Sequence, residues 1–591
     1  MRCILFILSF FLFAELSAQE QRLAYRYYLS GEYEIAASIY ETLHKENPNN
    51  TSYSNYLIKC YQGLEQFDKA LAFIDAQLDQ FPSQRHLLVE IGYNYQLQHQ
   101  LENAKIYYNR ALQEENISNS SAYLIGKTFQ DNHLLDYAII TFKKAMELNP
   151  RANFNFQLAF IYGEKGDLEN MFKSYLDLID TNENYLPSVQ NYIGQFITDD
   201  SQNESNILLK QSLLKRSQNQ PKDVWNILLS WMYAQQKDYL KAFIQEKALH
   251  KRNPESLERM VNLGEITFEN KAFSIANQVF DYVLKQTENI DFELAAKLYK
   301  LEIDRNTDVS NELIQKQFED LLDEYGFSSA TLRIQSVYAE FLAYDLNQIE
   351  EAVALLKKTL EYNLSDFEEG LIKTILGDIY VYDGKFSTAL IYYTQVQKKL
   401  KNDELGQEAR FKIAQTSYYK GDFDWAQTQL NVLKKSTSQL IANDALDLNL
   451  LITDNATRDS TKVALTQYAK AELLAFQNKN KEALQILTRI LEEFNDHSIA
   501  DEALFKQAEL FEKEKQYGKA EQAYLSLIAL NPQDILADDA HYKLGLLYEE
   551  RLENPEKAQE YYEKIIYNYP SSIYLVDARN KYRALRGDVL N

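Results

Sequence analysis

The sequence predicts an all-α solenoid of stacked antiparallel helix pairs. Three observations carry this reading. Small side chains recur every 34 residues through the N-terminal part. Inside each unit, two small positions stand twelve residues apart, one for each helix of a pair. Only 17 Gly and 9 Pro punctuate 591 residues, too few for a large β protein built on turns. A chain this long cannot share one core, so it is either several domains or a repeat array.

The frame is read from spacing. Ala36, Ala70, Ala104 and Ala138 each follow the last by 34 residues. Four residues beyond them stand Tyr40, Ile74, Tyr108 and Phe142, and twelve before them Ala24, Ile58, Gly92 and Gly126. Small residues let two helices approach closely, and the large side chain one turn later fills the gap to the next pair. Twelve residues beyond the alanines come Pro48, Pro82, Asn116 and Pro150. Proline ends the second helix because it cannot continue the hydrogen-bond ladder. The same twelve-residue step returns at Ser230–Ala242, Gly264–Ala276, Gly377–Ala389, Ala414–Ala426, Ala471–Ala483 and Ala508–Ala520, and becomes thirteen at Gly545–Ala558. Gly31, Gly166, Gly384 and Gly421 stand five before the second small position, in the turn between helices.

Some units depart from this. Ala159–Met171 loses one small residue, and Gly194–Asn206 carries a polar stretch from Thr198 to Ser205. Residues 291–330 are helical in period but lack a clean frame, and 440–470 add a helical piece and a polar loop, Thr453 to Lys462. The period lengthens from 34 to 37 between Ala352, Ala389 and Ala426, and to 38 at Ala558. The expected organisation is an N-terminal arm over 19–290, an irregular helical joint over 291–330, a C-terminal arm over 331–572 and a cap over 573–591. Within that cap, residues 573–586 read as a helix with Lys581, Arg583 and Arg586 on its outer side. That makes about fourteen helical pairs in two arms. The strings Ala442-Asn443-Asp444-Ala445, Ala500-Asp501-Glu502-Ala503 and Ala537-Asp538-Asp539-Ala540 open C-terminal helices. Acids in a first turn are favoured by the helix dipole, and one set per repeat cannot converge on a metal ion.

This frame resembles the tetratricopeptide-repeat (TPR) pattern, a helix–turn–helix with a period near 34. The resemblance implies a right-handed superhelix. The stretch Ala537 to Gly587, with Tyr569-Pro570-Ser571-Ser572 and Asp577-Ala578-Arg579, is similar to repeats of bacterial envelope TPR proteins of the β-barrel-assembly and Tol–Pal-associated kinds. The Ala18–Gln19 junction with Leu440-Ile441-Ala442-Asn443-Asp444-Ala445 resembles exported TPR proteins of Bacteroidota-type bacteria. The triplet Asp459-Ser460-Thr461 resembles the O-glycosylation acceptor of such proteins.

Export is also read from the residues. Arg2, an apolar run from Cys3 to Phe13 and small Ala18 form a signal peptide over 1–18, cut after Ala18. The chain is expected to be exported, periplasmic or outer-membrane-associated. Cleavage leaves Cys60 alone, so no intrachain disulfide forms. No later apolar run is long enough to span a bilayer.

A search for chemistry leaves no catalytic, cofactor or metal candidates. There is no H-E-x-x-H, G-x-S-x-G, phosphate-binding loop or G-x-G-x-x-G. The seven histidines are scattered over different repeats, and Cys60 reads as a small core residue. A net charge of −24 argues against nucleic acid as a partner. Repeats fill the chain and leave no room for a catalytic domain, so the expected role is non-catalytic.

Binding is then the expected work. On each first helix, residues three before, one after and four after the small position share a face. In the N-terminal arm this face carries Tyr25, Tyr28, Asn55, Lys59, Gln62, Tyr93, Gln96, Tyr123, Lys127, Gln130, Phe156 and Phe160, with Trp231 further on. Rings supply contact area and amides satisfy a bound backbone. The pattern shows no match to the Lys/Asn clamp that some TPR domains use for carboxylates. Two roles follow: a cell-envelope scaffold for outer-membrane or secretion components, or a chaperone-like module that captures extended segments.

Overall fold

The computed structural model describes residues 19–587 except 114–117, 255, 435, 437, 457–460 and 534. The expected signal peptide, Asn116 and the acceptor residues Asp459 and Ser460 lie outside the described residues. Among the described residues there is no strand, and helices follow one another in antiparallel pairs from residue 19 to Arg586. The fold is the all-α solenoid of TPR-type pairs that the spacing predicts.

The small positions work inside a pair. A Cβ on Gly92 would overlap the ring of Tyr108, and Gly126–Phe142, Gly264–Phe280, Gly377–Tyr393 and Gly545–Tyr562 repeat that relationship. The ring from the second helix thus lies on the small residue of its own first helix. It also meets the next pair, as the spacing predicts: Tyr40 reaches Tyr56 at 5.4 Å, Tyr108 reaches Phe129 at 5.6 Å, Phe142 reaches Phe154 at 5.0 Å and Phe280 reaches Tyr299 at 5.0 Å. Ala36, Ala70, Ala104 and Ala138 are all buried, as close helix approach requires.

The turns within pairs follow one rule. The residue five before the second small position is left-handed whether or not it is glycine: Gly31, Gly166, Gly384 and Gly421, but also Glu65, His99, His133, Lys237, Lys271, Asn347, Asn478, Lys515 and Glu553. A reach-back bond closes the turn, for example Leu134 N–H to Phe129 O at 2.8 Å and Gln516 N–H to Phe511 O at 2.8 Å. Helices Tyr33–Glu46 and Phe67–Gln80 stop just short of Pro48 and Pro82.

The irregular segments keep the paired scheme. Asn206, at a small position, is buried, and its Nδ2 donates to Thr198 O at 2.8 Å and Asp200 O at 2.6 Å. One amide therefore organises the polar stretch. Residues 291–330 hold helices Ile290–Arg305 and Asn311–Tyr325, and an unbroken core runs from Leu294 to Ile413. The polar loop expected from Thr453 starts later, because helix Gln439–Ala456 runs through that residue. The last helix, Leu575–Arg586, ends at left-handed Gly587. Its Lys581 does not point outward as expected but reaches Glu549 at 3.1 Å.

By packing, the chain forms two compact units, up to Asp238 and from Tyr239 onward. The arms drawn from period are a property of the sequence and cross that division.

Candidate interaction groove

All the residues expected to form a groove lie in the first unit. The structure turns the most N-terminal of them into an aromatic knot. Tyr56 meets Tyr25 at 5.4 Å and Tyr28 at 5.2 Å, and stacks on buried Tyr40 at 5.4 Å. Desolvation pushes the Tyr28 hydroxyl up to about 12, so it stays protonated. Tyr28 is half-buried packing; Tyr25 keeps 41% of its surface exposed.

The next two repeats meet at a buried carboxylate that spacing alone did not find. Glu90, on helix His86–Leu97, is 4% exposed. Gln62 from the preceding repeat donates Nε2 to its Oε2 and to its backbone carbonyl, each at 3.4 Å. Asn132 from the following repeat donates Nδ2 to Oε1 at 3.2 Å. Burial raises this carboxyl above its ordinary range, against the pull of Lys59, Asn132 and Gln62. Tyr93, half-buried one turn away, is raised by its own desolvation and then by Glu90. The clue was in the sequence: Glu90 is the only acid in the otherwise apolar string from His86 to Gly92.

The remaining expected residues sit along the same first helices but are engaged to different degrees. Gln96 accepts from the Tyr108 hydroxyl at 3.0 Å, so it braces the core. Gln130 donates to Glu164 at 3.2 Å, linking two repeats, and exposed Lys127 pairs with Asp131. Asn55 and Lys59 are half-buried on helix Thr51–Gly63. Phe156 packs edge-on against Tyr192 at 5.4 Å, and half-buried Trp231 lies over Gly194. The rings left open to water are Tyr25, Tyr123 and Phe160, the last 47% exposed. The structure therefore joins Lys59, Gln62 and Tyr93 around Glu90, and leaves Trp231 and the Tyr25 knot as separate local features.

Among the described residues of this region, Cys60 and His86 are held in the packed interior. Cys60 is buried, and desolvation pushes its thiol up to about 12, far from the reactive thiolate range. His86 is buried with neither ring nitrogen partnered, which lowers it to about 4 and keeps it neutral. His99 and His133 are turn residues. No three metal-ligating side chains converge among the described residues.

The tetratricopeptide-repeat family matches residues 468–535 and again residues 539–572. No curated protein matches the chain. Among solved structures it is similar to that of Naa15/Naa10 bound to HypK-THB, at 12% identity over 97% of this chain and 96% of that one, with TM-score 0.29. It is also similar to the Cut9–Hcn1 hetero-tetramer of the APC/C, at 14% identity over 97% and 98%, TM-score 0.24. Yeast Tom70 matches at 13% identity over 96% and 99%, TM-score 0.28. Two segments of the second unit are thus similar to tetratricopeptide repeats, and the same ring-on-small-residue packing recurs in both units.

Proposed function

We propose that this chain is a non-catalytic scaffold of the bacterial cell envelope, holding outer-membrane or secretion components against its repeat surface. The observation that carries the reading is the polar row from Gln62 through Glu90 to Asn132. It ties three successive repeats together from within, beneath half-buried Tyr93 and Lys59. Such bracing preorganises the residues above it, so a partner meets them without ordering them first. The signal-like string before Gln19 supports export. A second reading, capture of extended segments, draws on the open rings of Tyr123 and Phe160.

Crosslinking in intact cells followed by mass spectrometry tests both. The scaffold reading expects a small, constant set of envelope proteins, weakened by Tyr93→Ala/Tyr123→Ala. Recovery of the chain with cytoplasmic proteins only would refute it. A broad set of unfolded segments would favour capture.

A further inference from the structure

The pair that departs most from the repeat frame holds a pocket. Helices Ile290–Arg305 and Asn311–Tyr325 carry no two small residues at the twelve-residue step. None of residues 306–310 takes the left-handed turn of the regular pairs. The two helices therefore touch along less of their length than the helices of a regular pair. Leucines instead of alanine or glycine hold the backbones apart. Between them opens a pocket of about 240 Å³, floored by Leu301 and Leu321 and by Leu284 of the preceding helix.

The pocket has two unlike ends. At one, Lys297 crosses between the helices to Glu324 at 3.4 Å, and also holds Glu293 at 3.2 Å and the Tyr325 hydroxyl at 2.5 Å. Asp304 stands seven residues past Lys297, and Gln317 seven before Glu324, two turns along each antiparallel helix. Asp304 and Gln317 thus share the other end, and Asp320 lines the wall one turn on from Gln317.

That second end lacks a cation. Lys300, also in the lining, is drawn to Asp281 at 2.6 Å, and Arg305 to Asp345 at 2.5 Å. Asp304 and Asp320 make no side-chain hydrogen bond or ion pair among the described residues. The Gln317 amide oxygen is buried without a partner. Asp304 also lies in the last turn of its helix, where the dipole favours positive charge.

Size and chemistry select the occupant. Sites for whole small molecules run to about 300–1,000 Å³, so this pocket suits one long side chain. An apolar floor leading to unmatched acids fits an aliphatic stem with a cationic head, as lysine and arginine have. A leucine would leave the acids unmatched, and a carboxylate would be repelled by them. Asp304, Asp320 and Glu324 do not converge as metal ligands. A net charge of −24 steers basic partners inward. We propose that this pocket docks a lysine or arginine side chain of a partner protein, its stem over Leu284, Leu301 and Leu321 and its head at Asp304, Asp320 and Gln317. The proposal rests on the scaffold reading only in taking the partner to be a protein.

Fluorescence anisotropy on the full chain tests it, with a labelled peptide of single lysines spaced by glycine and serine. Wild type should bind this peptide and not its glutamate counterpart. A peptide with 2,4-diaminobutyrate in place of lysine keeps the charge but shortens the stem by two methylenes, and should bind severalfold more weakly. Asp304→Asn/Asp320→Asn should weaken lysine-peptide binding about fivefold, as loss of two partly exposed charge pairs does. Glu492→Gln/Glu493→Gln removes the same charge from an exposed helix end and should leave binding within about twofold. The diaminobutyrate comparison needs no variant, so it decides even if the double variant unfolds by circular dichroism. No binding by wild type, equal binding of the two basic peptides, or equal weakening by the control pair overturns the proposal. If that happens while Tyr93→Ala/Tyr123→Ala still depletes crosslinked partners, the pocket assignment falls and the scaffold reading stands.

Discussion

The ring of Tyr393 occupies the space in which a Cβ on Gly377 would stand, and its hydroxyl donates to Asp378 at 2.6 Å. The buried ring is therefore fixed at both ends. Gly377→Ala should force it off its rotamer and destabilise the chain by about 1–3 kcal/mol. Gly518 offers the opposite case. It lies in helix Tyr517–Leu530 with nothing near the position of a Cβ, so Gly518→Ala should stabilise by about 0.5–1 kcal/mol. Urea midpoints of the two variants, moving in opposite directions, check the pair.

The turn rule gives a second test. Lys271 and Lys515 hold left-handed conformations at positions where other repeats use glycine. An L side chain there costs about 1–2 kcal/mol, partly offset by the flexibility glycine adds to the unfolded chain. Lys271→Gly and Lys515→Gly should each raise the thermal midpoint modestly, and Gly421→Ala should lower it. A lowered midpoint in both lysine variants would mean that the lysine side chains, not the backbone, hold these turns.

These two cases show what was legible in the sequence. Spacing located the small residues, the rings and the turns because each is set by sterics within one pair. It did not locate Glu90 as a centre, because that carboxylate is held by Gln62 and Asn132 from the repeats on either side. Their approach depends on stacking, which no local period encodes. The same holds for Tyr382 and Phe476, brought together by an inserted helix. Among the expected groove residues, Gln96 proved to brace Tyr108 because a face defined by helical period cannot say which side chains turn back inward.

Stability should depend on pH through Glu502. Burial, then neighbouring Asp501, raises its carboxyl to about 9, while Asn455 donates to Oε1 at 2.9 Å. An unfolded glutamate titrates near 4.3. Between those values the folded chain keeps a proton that the unfolded chain has released. Folding stability from this group is therefore full below about 4.3 and falls as pH rises toward about 9. Glu502→Gln is neutral throughout and keeps an acceptor for Asn455. It should gain on wild type from pH 5 to pH 8 in thermal midpoint. An unchanged difference across that range would show that Glu502 is ionised in the folded chain.

The Glu90 site separates packing from binding. Glu90→Ala removes the acceptor of Asn132 and leaves that buried amide unsatisfied, while Gln62 keeps the backbone carbonyl of residue 90. The expected loss is about 1–3 kcal/mol. Glu90→Gln keeps one acceptor oxygen and sheds a desolvated charge, so its urea midpoint should stay close to wild type. If the row serves mainly to position Tyr93, partner crosslinking should survive Glu90→Gln and fail in Tyr93→Ala. Loss of crosslinking in Glu90→Gln at unchanged stability would instead make the carboxylate itself the contact, placing negative charge at the centre of the first unit's recognition surface.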